Sequence, residues 1–247
     1  MQRYYIQLAY KGTNYHGWQI QPNAISIQET LEKALSTKLQ EVIRVTGAGR
    51  TDTGVHAEFF VAHFDSSKDI DNKIVFGLNN LLPNDIVIYN IKKVKSDFNA
   101  RFDAISRTYK YYITNTKTPF LNETTTFIKD DIDIDLLNKV CKILYDYTDF
   151  TSFSKLHTDT KTNNCKITNA KWYLENNIVV FEITADRFLR NMVRSIVGTM
   201  LDVNSGKISL TDFSKIIESK NRSNAGKSAP AEGLFLTAIN YTNSIFN

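Results

Sequence analysis

The stretch Gly47-Ala48-Gly49-Arg50-Thr51-Asp52-Thr53-Gly54-Val55-His56-Ala57 sits between two short apolar segments and decides how the rest of the chain is read. Its three glycines allow tight backbone turning around a small cluster of acidic and basic residues. Val42 to Thr46 on one side is β-branched, and Phe59 to Phe64 on the other is a second apolar strand segment, so the spacing predicts a hairpin-like pair. Such a loop aims a side chain. Asp52 lies two residues from Arg50, and a carboxylate kept ionised by a neighbouring guanidinium is a competent nucleophile at neutral pH. The competing reading of Asp52 is an Asx-type turn that stabilises the hairpin.

Working outward, Tyr4, Ile6, Leu8 and Tyr10 alternate onto one face of a first strand, and a helix is predicted from Ser26, with Glu29 completing a capping box, to about Leu39. Beyond the hairpin a helix is expected from about Asp69 to Leu82, stopped by Pro83, and then a strand through Ile86, Ile88 and Asn90 that runs into Lys92, Lys93 and Lys95. The second half repeats this order: strand Arg107 to Thr114, helix Asp133 to Tyr145, strands Ile167 to Leu174 and Ile178 to Thr184, helix Phe188 to Val203, an extra helix at about Thr211 to Lys220, and a last strand Leu234 to Tyr241. Two successive βαββαβ units predict an α+β fold of two subdomains, residues 1–104 and 105–247, with a cleft between them. The halves share pattern and not sequence identity.

With 247 residues and 42% hydrophobic content the chain can bury a substantial core. Lys and Arg number 30 against 26 Asp and Glu, a net charge of +4 that permits a nucleic-acid partner without requiring one. Cys141 and Cys165 are too few for a disulfide framework and lack zinc spacing, so both are read as structural thiols. No apolar signal core and no run of membrane-spanning length is present, and the expectation is a cytoplasmic protein with no membrane partner. His16, His56, His63 and His157 have no metal-ligand spacing, and no metal is expected. Lys92, Lys93 and Lys95, and the stretch Lys155, His157, Lys161, Lys166, read as solvated surface or as phosphate contacts.

Two further positions stay open on geometry alone. Tyr109 shares a strand face with Tyr111 and Ile113 and is either a core residue or a platform for a base. On a helix starting at Phe188, Arg187, Arg190 and Arg194 fall within a wedge of roughly 60°, bordering the apolar Val197 and Leu201. An arginine at such an edge either pairs with a carboxylate or phosphate or reaches out to solvent.

Gly-Arg-Thr-Asp-x-Gly-Val-His-Ala, from Gly49 to Ala57, resembles the signature of the TruA family of tRNA pseudouridine synthases, and the resemblance extends over nearly the whole chain. It includes Tyr10-Lys11-Gly12-Thr13-Asn14-Tyr15-His16-Gly17-Trp18-Gln19, Phe98-Asn99-Ala100-Arg101-Phe102, Arg107-Thr108-Tyr109-Lys110-Tyr111, Asp149-Phe150-Thr151-Ser152-Phe153, Phe188-Leu189-Arg190-Asn191-Met192-Val193-Arg194 and Ala229-Pro230-Ala231-Glu232-Gly233-Leu234. The resemblance implies a pseudouridine synthase fold with a central active-site cleft. It makes Asp52 the catalytic aspartate, Arg194 its basic partner with Arg50 beside them, Tyr109 the aromatic that stacks on the target base, and Leu234 an apolar wall. It implies the anticodon stem-loop of tRNA as substrate, a homodimer, and no cofactor. Thr53, often smaller in the family, and Lys166, where arginine is frequent, depart from the pattern, and the second leaves the role of that position in doubt.

Two other functions fit parts of the sequence. Asp52-Thr53-Gly54 matches the Asp-Thr-Gly of aspartic proteases, whose chemistry needs two carboxylates sharing a proton, and Arg50 opposes such sharing. A non-catalytic RNA-binding protein of the same fold is the other reading. The loop does not continue into the Lys-Ser/Thr pair of a nucleotide-binding site.

Overall fold

The computed structural model describes residues 1–155 and 162–245 and divides the chain into two compact units, Met1–Ile105 with Leu236–Asn247, and Ser106–Phe235. The first contains β1 (Gln2–Tyr10), α1 (Ile27–Leu39), β2 (Val45–Gly47), β3 (His56–Ser66), α2 (Ile74–Asn79) and β4 (Ile86–Lys93). The second contains β5 (Ser106–Thr114), β6 (Thr126–Phe127), α3 (Ile134–Leu144), β7 (Ile167–Glu175), β8 (Ile178–Ala185), α4 (Met192–Asn204) and α5 (Leu210–Glu218). Finally β9 (Leu234–Asn240) carries the chain back from the second unit to the first. The fold is α+β with mainly antiparallel pairing and the βαββαβ order in each half. A sequence boundary at 104/105 leaves the last twelve residues on the other side of this division. They pack with the first unit: Ile105 N–H donates to the Asn240 carbonyl at 2.8 Å, and the Tyr241 hydroxyl to the Ala100 carbonyl at 2.6 Å.

In the first unit β1 lies between β3 and β4, antiparallel to both, with β2 and β9 also on β3. The alternation read from Tyr4, Ile6, Leu8 and Tyr10 is a buried face, and the register sets Tyr4 opposite Phe64, with rings stacked at 5.5 Å, and Leu8 opposite Phe60. Helix α1 starts where Ser26 accepts a hydrogen bond from the Glu29 N–H, and it buries Ile27, Leu31, Ala34 and Leu35 on one stripe. Glu32 is buried too. Its carboxylate accepts from the Val45 N–H at 3.0 Å and pairs with Arg44 at 2.7 Å, tying α1 to the start of β2.

The predicted helix from Asp69 to Leu82 is only six residues long, because side chains satisfy the backbone that would have formed its first turns. The Tyr4 hydroxyl takes the Ile70 N–H and Asp71 the Lys73 N–H.

In the second unit β8 lies between β5 and β7, both antiparallel, while β6 runs parallel to β5. Tyr111, Ile113, Trp172, Phe181 and Ile183 are buried, and so is the apolar stripe of α3 at Leu137, Val140, Cys141 and Leu144. Helix α4 begins at Met192 and not at Phe188, since Asn191 has φ 66° and the chain before it is a turn whose Arg187 N–H is taken by the Asp186 carboxylate. Arg187 and Arg190 therefore precede the helix and do not share a helical wedge with Arg194. No helix among the described residues is long and apolar enough to cross a membrane.

Candidate active site

The Asp52 loop is held in the first unit by its flanks. Gly47, at the end of β2, faces the Trp18 indole so closely that a Cβ would lie 2.6 Å from the ring, and Trp18 is itself stacked on Phe60 at 4.1 Å. Ala48 N–H bonds to the Val61 carbonyl at 2.8 Å. Asp52 is the first residue of a four-residue turn closed by Val55 N–H to the Asp52 carbonyl at 3.1 Å, with Gly54 supplying φ 78° at the third position as in a type II turn. The turn is closed by the main chain of Asp52. Thr51, Val55 and His56 are buried, Asp52 is half-buried and Thr53 is exposed, so buried anchors on both sides hold a carboxylate at the protein surface. Arg50 is exposed and makes no hydrogen bond or ion pair among the described residues.

The other predicted residues lie in the second unit or on its last strand residues. Tyr109 is half-buried on β5, on the face where Tyr111 and Ile113 are fully covered, and meets Phe188 edge-on at 5.1 Å. Arg194, in the first turn of α4 and half-buried, donates from Nε to the Ala229 carbonyl at 2.7 Å, while the Ala229 N–H donates to the Arg194 carbonyl at 2.9 Å. The next carbonyl, Pro230, accepts from the Tyr111 hydroxyl at 2.9 Å. Burial pushes the Tyr111 phenol well above its ordinary range; the Thr126 hydrogen bond opposes this, nearby Glu232 adds to it and Arg194 opposes it. Leu234 is buried, its N–H on the Ala231 carbonyl at 2.9 Å.

Residues 225–230 thus form a strap that fixes Arg194 and Tyr111 together. Helix α4 lets the strap approach at Gly198, where a Cβ would collide with the Lys227 carbonyl oxygen. The strap is held further by Gly226 N–H to Thr199 Oγ1 at 2.9 Å and by Arg222, which donates to the Gly226 carbonyl at 3.1 Å and to Ser228 Oγ at 2.9 Å.

Sequence reading placed Phe188 at the head of a motif and a helix but gave no role to its ring, to the Ala229 and Pro230 carbonyls, or to Gly198. The Ala-Pro motif and a glycine inside an apolar helix were the only signals, and neither says what it touches.

The remaining candidates fall elsewhere. Burial pushes both cysteine thiols up to about 12, in keeping with a structural role. His63 is buried and its Nδ1 accepts the Ala100 N–H at 3.1 Å; His56 Nδ1 accepts the Gly12 N–H at 3.0 Å. Among the described residues no group of three His, Cys, Asp or Glu side chains is arranged to hold a metal ion. Lys93 is exposed and pairs with Asp69 at 2.6 Å, and Lys155 and Lys166 are exposed. His157 and Lys161 lie outside the described residues.

A profile of tRNA pseudouridine synthases matches residues 7–103 and 146–242. The first segment holds the Asp52 turn and its flanks, the second Arg194, the strap and Leu234; Tyr109 falls between the two. The chain is 56% identical to the tRNA pseudouridine synthase A of Bacteroides fragilis over 100% of this chain and 99% of that one. It is 53% identical to that of Bacteroides thetaiotaomicron over 100% and 93%, and 40% identical to that of Acetivibrio thermocellus over 95% and 97%. Since the similarity runs end to end and takes in both the glycine-rich turn and the strapped arginine, the chain belongs to the tRNA pseudouridine synthase family.

Proposed function

We propose that this protein isomerises uridine to pseudouridine in the anticodon stem-loop of tRNA, in the cytoplasm and as a homodimer, with Asp52 as nucleophile. The reaction breaks the bond between ribose C1′ and uracil N1, turns the base and rejoins it through C5. C5 gives up a proton and N1 gains one. The isomerisation is redox-neutral and transfers no group, so its chemistry calls for no cofactor. The observation that carries this reading is the Asp52 turn, where buried neighbours and a main-chain closure present one carboxylate at a fixed place.

The other residues have separate roles. A target base must leave its stack to be reached, and Tyr109, half-buried in a T-shaped contact with Phe188, is the aromatic that stacks on it. Leu234 excludes water beside it. Arg194, oriented through its Nε by the Ala229 carbonyl, serves as the basic partner of Asp52. Arg50, exposed next to the turn, meets the RNA backbone or the displaced base. Steady-state pseudouridine formation in an unmodified tRNA transcript tests the assignment. Asp52→Asn is expected to lower kcat by more than about 10³-fold with tRNA affinity within about threefold of wild type. Conversion at the wild-type rate by this variant removes Asp52 from the chemistry, and a folded wild-type protein that binds tRNA without converting it is an RNA-binding protein of this fold.

A further inference from the structure

Thr51 precedes the proposed nucleophile and is buried, yet a polar side chain at a buried loop position needs a partner. It has one in Tyr10, at the end of β1: the two hydroxyls share a hydrogen bond of 2.9 Å, both residues being buried. The Thr51 main chain is held from the same side. Its carbonyl accepts the Trp18 N–H at 3.2 Å, and Gly17, at φ 83°, packs against that oxygen with no room for a Cβ. After Asp52 the same segment takes hold again, with Gly54 N–H donating to the Tyr15 carbonyl at 3.3 Å and Gly12 N–H to His56 Nδ1 at 3.0 Å. The segment is anchored in turn by the Tyr15 hydroxyl on the Asp85 carboxylate at 2.6 Å. Residues 10–18 are therefore fastened to the Asp52 turn immediately before and after the carboxylate, and the Tyr10–Thr51 contact joins the two side chain to side chain.

We infer that Tyr10 and Thr51 are positioning residues for the reaction: their shared hydrogen bond sets the direction in which the Asp52 carboxylate points, without either touching the substrate. This rests on Asp52 being the nucleophile. A carboxylate on a short side chain inherits the placement of its backbone, and a shift of about 1 Å at the reacting atom costs on the order of a hundredfold in rate. The main-chain contacts limit how far Asp52 drifts when the hydroxyl pair is lost, so the expected effect is smaller.

The test uses the full-length protein and an unmodified tRNA transcript. Thr51→Val, which keeps the shape and removes the hydroxyl, is expected to lower kcat about tenfold with KM within about twofold, and Thr51→Ser to restore kcat to within about threefold. Tyr10→Phe removes the other hydroxyl and is expected to match Thr51→Val, with the double variant no slower than the slower single one. Tyr10→Phe alone suffices should Thr51→Val fail to fold. A fall in melting temperature with kcat unchanged at 25 °C makes the pair structural and overturns the inference, as does a rise in KM with kcat unchanged. Asp52→Asn in the same assay separates the two readings: if it turns over normally, the nucleophile assignment fails, whereas normal turnover by Tyr10→Phe and Thr51→Val beside an inactive Asp52→Asn refutes positioning alone.

Discussion

His63 lies under Phe98 in the first unit, and its burial, with the Arg3 charge nearby, lowers its pKa from the ordinary 6.5 to about 4. The folded protein keeps this imidazole neutral, with Nδ1 accepting the Ala100 N–H, while an unfolded chain protonates it near 6.5. Between those two values the unfolded state binds more protons, so the contribution is fully present above about pH 6.5 and is lost as pH falls toward 4. The loss is on the order of 2–3 kcal/mol. Asp65, held below the usual carboxylate range by the hydrogen bonds from Arg3, acts in the same direction at lower pH. His63→Asn retains an acceptor and cannot titrate; urea denaturation at pH 7 and pH 4.5 is expected to show a difference smaller than wild type by roughly 2 kcal/mol. An unchanged difference would show that His63 has no part in it.

The elements themselves were largely legible in the chain. Alternation in β1, the Ser26 cap of α1 and the apolar stripe of α3 are local, and local signals survive into the fold. The two failures have non-local causes. Residues 69–73 stay out of the predicted helix, the Ile70 N–H being taken by the Tyr4 hydroxyl on β1, and α4 starts late because Asn191 is left-handed and bonded to Ser228 at 2.6 Å. The site divides in the same way. Asp52 announced itself through its glycines, whereas what orients Arg194 is a carbonyl 35 residues away, which carries no side-chain signature. At this scale the strap over α4 is open to test. Gly198→Ala drives a methyl into the Lys227 carbonyl, a backbone atom with little freedom to yield, and is expected to cost about 1–3 kcal/mol or more and to slow turnover through Arg194. Calorimetry and single-turnover rates check both; a variant with wild-type melting and rate would mean that the strap yields freely.

For the whole molecule, the division of the chain matters more than its length. The first unit is made of both ends of the sequence, residues 1–105 and 236–247, and the second is inserted between them. Deleting 236–247 removes β9 from beside β3, the Tyr241 ring from Phe98 at 5.5 Å, and the hydroxyl from the Ala100 carbonyl. Limited proteolysis of such a truncated chain is expected to cut within residues 1–105 while 106–235 resists. Equal resistance of both would show that the terminal segment contributes little to the first unit.

The same chain path sets an order of events during synthesis. A ribosome delivers residues 106–235 complete before it delivers the strand that the first unit waits for, although domains elsewhere tend to fold from the N-terminus onward. The Asp52 turn belongs to the unit that is finished last. Until residues 236–240 have been made, the Asp52 turn stands in a sheet that still lacks the strand beside β3.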